Sequence, residues 1–390
     1  MLAFFRILPP GGLLLPALEQ RFFPFTFGGG GSGITGHGDV SAYTILLRCE
    51  LRMREIPLRD IQSAAASIYG VVVRTPLVRL ELPGPLAARL DGSELFLKLE
   101  TLQPIGSFKI RGAWNTVRQL THDQLRDGVW TVSAGNAAQG VALAARHAGA
   151  PCSVMVMDTA PRAKVDAIRH LGATIVQATY DECWATVEAH ASPRMHGYFV
   201  HPFDDDRFIA GNGTLGLEIV EDLPDVDAVV ASVGGGGLIS GLASAVRALR
   251  PEAQIVAAEP ETAAPLAASM RRGAASRFDG WQPSFVDGAG GKSVLPTMWP
   301  LLSHLVAESI IVPLAAVKEA MRLVAERCRV ITEGAAACAV AAALSGRVRG
   351  RIVAVVSGGN IDLTTFSSLI QDAPGVAATA TRSHGVVNST

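Results

Sequence analysis

Lys109 lies in the run Ser107, Phe108, Lys109, Ile110, Arg111, Gly112, Ala113, and apolar positions continue at Trp114, Val117 and Leu120. That spacing predicts an amphipathic helix with a lysine at its start. A lysine held against apolar neighbours gives up its proton more readily, and a neutral amine can attack an aldehyde. Taken alone, the segment equally describes a helix bearing a solvated lysine. Four consecutive glycines, Gly234, Gly235, Gly236 and Gly237, follow the apolar run 227–231 and precede the helical pattern 242–249. Between a strand and a helix, such a turn aims several backbone N–H groups at one anion, and side chains would block the approach. No Lys-Ser or Lys-Thr follows the glycines, so they do not form a nucleotide P-loop, and their spacing is not that of a dinucleotide fingerprint. A compact phosphate monoester fits better; a ligand-free turn is the alternative. Ser357, Gly358, Gly359 and Asn360 follow the apolar run 351–356. A serine there can bond a ring nitrogen, or the tetrapeptide simply ends a strand.

The intervening sequence supplies elements to hold these residues. Strands are expected at 94–100, 129–132, 153–157, 174–177, 198–200 and 227–231, and further strands around Ile255, Ile310 and Ile352. Helices are expected at 60–66, from Lys109 to Leu120, and at 137–148, 162–171, 214–222 and 242–249. Alternation of this kind argues for an α/β protein with mainly parallel sheets, whose ligands bind at the carboxyl ends of strands. All three segments fall at such ends.

An amine for an aldehyde, a cup for a phosphate and a hydroxyl for a ring nitrogen match the three handles of pyridoxal 5′-phosphate. With its motifs in this order, the chain resembles the serine/threonine dehydratase and serine racemase group of the tryptophan synthase β-like (fold type II) pyridoxal-phosphate enzymes, from about Met53 to about Ser368. The resemblance implies two parallel-sheet α/β domains. Residues 53–126 and 207–372 would build the large one and 127–206 the small inserted one, with the cofactor between them.

The resemblance also implies roles. Lys109 would carry the cofactor and act as the base at Cα. Phe108 would lie against the cofactor ring, unless it is a core aromatic. Ser133, Ala134, Gly135, Asn136 and Ala137 match the loop that takes the substrate carboxylate, and Asn136 also the contact to the cofactor's phenolic oxygen. Gly234 to Gly237 with Leu238 would hold the phosphate, and Ser357 the pyridine nitrogen. Two departures matter. Ala137 replaces a histidine, and Ala134 stands where racemases carry a second serine. Alanine cannot carry a proton, so elimination is expected in preference to racemisation. Glu259 and Ala263 match two ligands of a divalent-cation site found in some relatives, but the third, an aspartate, is Pro265 here. Glu259 otherwise ends a strand and pairs locally. Lys292 is expected to be solvated, Glu333 to bring a carboxylate near the cleft, and His147 and His201 to be structural.

The expected reaction is dehydration of L-threonine or L-serine to a 2-oxoacid and ammonia. Alternatives are a serine racemase, a 3-hydroxyaspartate dehydratase, a β-replacement synthase, and an inactive ligand-binding relative. The partner is a small amino-acid substrate, in a homodimer or homotetramer. A formal charge of −1 gives no electrostatic case for nucleic acid or an anionic membrane, and no apolar run reaches transmembrane length. Five scattered cysteines without CxxC spacing fit a reducing cytoplasm and no zinc site. Residues 1–52, with their Pro and Gly clusters, read as a disordered or non-native extension, and 373–390 as a disordered tail.

Overall fold

Short apolar, β-branched runs form strands where helices can cover both sheet faces. Ten strands form among residues 54–371, the part of the chain that the computed structural model describes. The expectations for 1–52 and 373–390 lie outside the described residues. The strands are β1 (Leu77–Arg79), β2 (Glu94–Leu99), β3 (Val129–Val132), β4 (Cys152–Met157), β5 (Thr174–Ala178), β6 (Tyr198–Phe199), β7 (Ala228–Ser232), β8 (Gln254–Pro260), β9 (Glu308–Val312) and β10 (Arg351–Val356).

They make two sheets. A six-stranded sheet has the order β1-β2-β10-β7-β8-β9, and a four-stranded sheet the order β5-β4-β3-β6. Every pairing is parallel except β1 with β2. This is the expected α/β architecture. The four-stranded sheet is contributed by residues 129–199. The six-stranded sheet joins β1 and β2, which precede that segment, to β7–β10, which follow it.

The register puts the loops after β2, β3, β7 and β10 at carboxyl ends of strands. Val356 is opposite Leu99, and Val132 is opposite Met155. The loop after β2 is also stitched to the loop after β10. Phe108 N donates to Ser357 O at 3.0 Å, Gly359 N donates to Gly106 O at 2.9 Å, and Ser107 bridges Gly358. Residues 249 to 253 positions apart in sequence therefore begin the site as neighbours.

The helix expected from Thr214 begins earlier, at Asp206, and runs to Asp222. Asp205 caps it by accepting from Phe208 N at 2.8 Å. Gly211, Gly213 and Gly216 suggest a loop on propensity; here they let helices touch. A Cβ on Gly211 would stand 2.4 Å from Arg111 O, and one on Gly241, in the neighbouring helix Gly237–Leu249, 2.1 Å from Ile209 O. Backbone contact at that range admits no side chain. The Lys109 helix is shorter than expected and ends at Val117.

A buried ion cluster fixes that helix. Arg111 has no exposed surface. Its guanidinium holds Glu100 at 2.7 and 2.8 Å and Glu218 at 2.7 and 2.9 Å, two forked pairs on one cation. Lys98 adds a second cation, 2.8 Å from Glu218. Two positive and two negative side chains thus neutralise one another where unpaired charge would be costly.

Candidate active site

Lys109 is the first residue of its helix, and its ammonium donates to Pro202 O at 2.5 Å. Its nitrogen lies 5.2 Å from the Phe108 ring centre and 5.4 Å from that of Phe208. Burial pushes its pKa down to about 8, against an opposing pull from the Glu333 carboxylate. The side chain faces a cleft of about 530 Å³ between the two sheets. Phe108, Ser133, Ala134, Gly135, Asn136, Ala137, Gly234 to Gly237, Leu238 and Ser357 line the same cleft.

β3 ends at Val132, and the loop after it enters the helix Asn136–Ala148. Ser133 Oγ accepts from Gly135 N at 3.0 Å, while the helix start has no side-chain cap. Its first N–H groups are available to an anion. Asn136 is fixed on both sides of its amide. It donates to Glu333 Oε1 at 2.9 Å and accepts from Asn360 Nδ2 at 2.7 Å. Asn360 also donates to Ile105 O at 2.7 Å.

After β7 the glycines form the turn into the helix Gly237–Leu249, which likewise has no side-chain cap. Gly236 has φ +93°, the left-handed region that favours glycine. A Cβ on Gly234 would lie 2.6 Å from Gly288 O, and Gly235 and Gly237 are required by a strap crossing the turn. A Cβ on Gly235 would lie 2.2 Å from Phe203 Cγ, and one on Gly237 2.6 Å from Phe203 O. Ser357 is buried at the end of β10, within the cleft.

Glu333 is the buried carboxyl of the site. Burial and then the nearby Asp287 push its pKa up to about 7, although Asn136, Lys164 and the Asn360 N–H favour the ionised form. Phe203 and Pro202 belong to a segment fixed from behind by His201. That ring accepts from Asp204 N at 2.7 Å through Nδ1 and faces Val187 O at 3.1 Å through Nε2. His190, His201 and Asp204 have ligand atoms within 4.8 Å of one another. Both His201 nitrogens are already engaged, and Asp204 accepts from Arg54 at 2.5 Å and Thr297 at 2.6 Å. The cluster is a brace for the strap.

The remaining sequence-derived residues sit elsewhere. Glu259 and Ala263 are buried and do not line the cleft. Glu259 accepts from Leu266 N and Ala267 N, each at 2.8 Å, and from Ser309 Oγ at 2.6 Å. Its oxygens therefore bind the first turn of the helix Pro265–Arg272. Lys292 is not simply solvated: its nitrogen lies 4.0 Å from the Tyr180 ring centre and 4.4 Å from that of Trp281, which attract a cation through their faces. His147 stands edge-on to Trp114.

Phe203, Asn360 and Pro202 were absent from the sequence-derived site. Asn360 ends the tetrapeptide begun by Ser357, where no local pattern marks it as a site residue. Pro202 and Phe203 gave no signal, because a carbonyl acceptor and a packing aromatic have no spacing signature.

Comparison with known proteins gives the following matches. A family model described as pyridoxal-phosphate dependent enzyme matches residues 68–358. An L-threonine ammonia-lyase of Thermotoga maritima is 40% identical over 319 residues, 81% of this chain and 78% of that protein. A catabolic L-threonine dehydratase of Staphylococcus aureus is 38% identical over 343 residues, 85% of this chain and 96% of that protein. Among solved structures, maize serine racemase superposes with a TM-score of 0.71 at 33% identity, covering 82% of this chain and 98% of that one.

Proposed function

The chain belongs to the pyridoxal-phosphate dependent enzyme family, and from that premise we propose that it is an ammonia-lyase converting L-threonine to 2-oxobutanoate and ammonia, and L-serine to pyruvate and ammonia. The observation that carries this reading is the buried Lys109 amine, its pKa lowered to about 8, facing the cleft together with the glycine turn and Ser357. These residues fit the cofactor: the glycine turn has no room for side chains, its helix start is uncapped, and a serine hydroxyl rather than a carboxylate ends β10.

When bound, the cofactor supplies an aldehyde for amine exchange and a ring that accepts the electron pair left by Cα proton loss. Lys109 would hold that aldehyde and, once released from it, would be placed to take the Cα proton. The N–H groups of Gly234 to Gly237 and Leu238 would hold the phosphate, and Phe108 would line the ring's side of the cleft. Ser133 to Ala137 would bind the substrate carboxylate at the open helix start, and the clamped Asn136 amide would keep one donor for the phenolic oxygen. Ser357 would bond the pyridine nitrogen without charging it. Water leaves from Cα and Cβ and is regained on hydrolysis of the released enamine, so the net products are a ketoacid and ammonia.

Ala134 supports elimination over racemisation, because it offers no proton on the face opposite Lys109. The cleft wall formed by Met155, Met157, Cys183, Trp184 and Val187 supports a methyl-bearing substrate over 3-hydroxyaspartate. The nearby cation, Lys164, is paired with Asp287. A divalent cation at Glu259 would have to displace three hydrogen bonds, so we assign none. We place the enzyme in the cytoplasm, where the four free thiols among the described residues would stay reduced, as a homodimer or homotetramer that sizing chromatography would identify. No helix among the described residues is long and apolar enough to cross a membrane.

The test is ketoacid release from L-threonine, L-serine and 3-hydroxyaspartate, with chiral analysis of residual serine. L-Threonine and L-serine should turn over, 3-hydroxyaspartate should be at least about tenfold slower given an unpaired second carboxylate on an apolar wall, and D-serine should be absent. Preference for 3-hydroxyaspartate, or accumulation of D-serine, would overturn the assignment.

A further inference from the structure

Glu333 opens the helix Gly334–Ala343 but does not cap it. The short polar side chains favoured at that position turn back to their own helix N–H groups. This one turns into the cleft, where Oε1 accepts from Asn136 at 2.9 Å and the Asn360 N–H also bonds the carboxyl. Gly358 leaves the space for it, since a Cβ there would lie 2.6 Å from Glu333 Oε1. The Glu333 backbone is pinned to the same loop, its N–H donating to Gly358 O at 3.1 Å. Glu333 and Asn360 thus hold the Asn136 amide from both sides, and Gly358 makes room for the Glu333 carboxyl.

We propose that Glu333 is a positioning residue that fixes the Asn136 amide and that its charge governs how tightly the cleft holds an anionic ligand. The inference rests on the pyridoxal-phosphate reading for the identity of that ligand. The charged groups facing the carboxyl are Lys109 from its helix, Asp287 from the loop before Gly288, and Lys164 from the helix Arg162–His170. Lys164 already pairs with Asp287.

Neutral Glu333 accepts the Asn136 bond through its carbonyl oxygen and adds no negative charge beside Asp287. Ionised Glu333 adds that charge in a buried site designed around a phosphate and a carboxylate. Its folded pKa of about 7 lies above its ordinary value. The sign follows: the protonated form binds the anion better, so retention falls as pH rises through about 7. Folding stability linked to this group is full below the ordinary carboxylate range and is lost across the same rise.

Cofactor release from the purified holoenzyme, followed by its fluorescence in the dialysate between pH 6 and 8.5, tests this. Wild type should release about tenfold faster at the alkaline end than Glu333→Gln, the size expected for one added charge at an effective dielectric near 20. Glu333→Gln keeps the acceptor and should hold the ligand evenly across the range. Glu333→Ala should release faster at every pH. Its kcat/KM should fall with it, whereas Glu333→Gln should retain kcat/KM at pH 6. Thermal unfolding of the same proteins supplies a readout independent of the ligand: wild type should lose about 2–4 °C relative to Glu333→Gln between pH 5 and 8. A Glu333→Gln protein that tracks wild type in release and melting overturns the proposal. So does a Glu333→Ala protein that retains the ligand as wild type does. If no preparation carries the cofactor, the functional reading fails, and the melting difference alone decides whether the Glu333 charge is set as described.

Discussion

A buried lysine amine with a pKa near 8 is the most consequential single group in the molecule. Lys109→Ala should lower turnover at least about a hundredfold, the loss expected when a positioned base is removed, as measured by steady-state ketoacid release. The opposite face of the substrate makes a second prediction. Ala134→Ser should introduce D-serine formation from L-serine while elimination persists, which chiral chromatography would detect; no D-serine would mean that a hydroxyl at that position does not reach Cα. Lys109 was legible as the lysine opening an amphipathic pattern, and the glycine turn and Ser357 because each is a local pattern at the end of an apolar run. Glu333 and Asn360 were not legible as partners of Asn136. They lie 197 and 224 positions away from it, and only the fold brings them together. Arg111 lies two residues after Lys109 in the same run, yet its partners Glu100 and Glu218 depend on tertiary contacts.

Elements are positioned here as much by missing side chains as by present ones. The helix Asp206–Asp222 begins eight residues before the expected start at Thr214, and its glycines are contact points with neighbouring helices. Gly241→Ala places a methyl 2.1 Å from a backbone oxygen. It should destabilise the protein by about 1–3 kcal/mol, as overpacking does, and urea denaturation would measure it. Glu259 gives a parallel case. Its carboxyl binds the start of the helix Pro265–Arg272, and Glu259→Ala should cost about 1–3 kcal/mol by leaving buried N–H groups unpaired. Added magnesium should leave the stability of the wild-type protein unchanged; a stabilisation that Glu259→Ala abolishes would point to a cation site instead. The strand pattern was easier to read than these helix ends, since short apolar runs under helices have few other structures available.

Across the whole molecule, the cleft lies between two sheets, and the residues lining it come from both. Strand β2 with the turn after it, the Lys109 helix and the long helix Asp206–Asp222 meet at the Lys98–Glu100–Arg111–Glu218 cluster, whose Arg111 is two residues along the chain from Lys109. Arg111→Met would leave buried Glu100 without a cation and Glu218 with Lys98 alone. The expected loss is about 3–5 kcal/mol, readable by denaturation, and turnover should fall with the loosened Lys109 helix. Parallel α/β architecture was visible from alternation alone. The pairing of β2 with β10, which sets Lys109 beside Ser357, was not, because sequence order does not specify which strands become neighbours.

The central claim is that the ε-amino group of Lys109 carries the cofactor. Borohydride reduction of the purified holoenzyme, followed by proteolysis and mass mapping, tests it most directly. The account predicts a single pyridoxyl-modified peptide containing Lys109, absent from the Lys109→Ala protein. Modification at another lysine, or none after reduction of a cofactor-loaded protein, would contradict it.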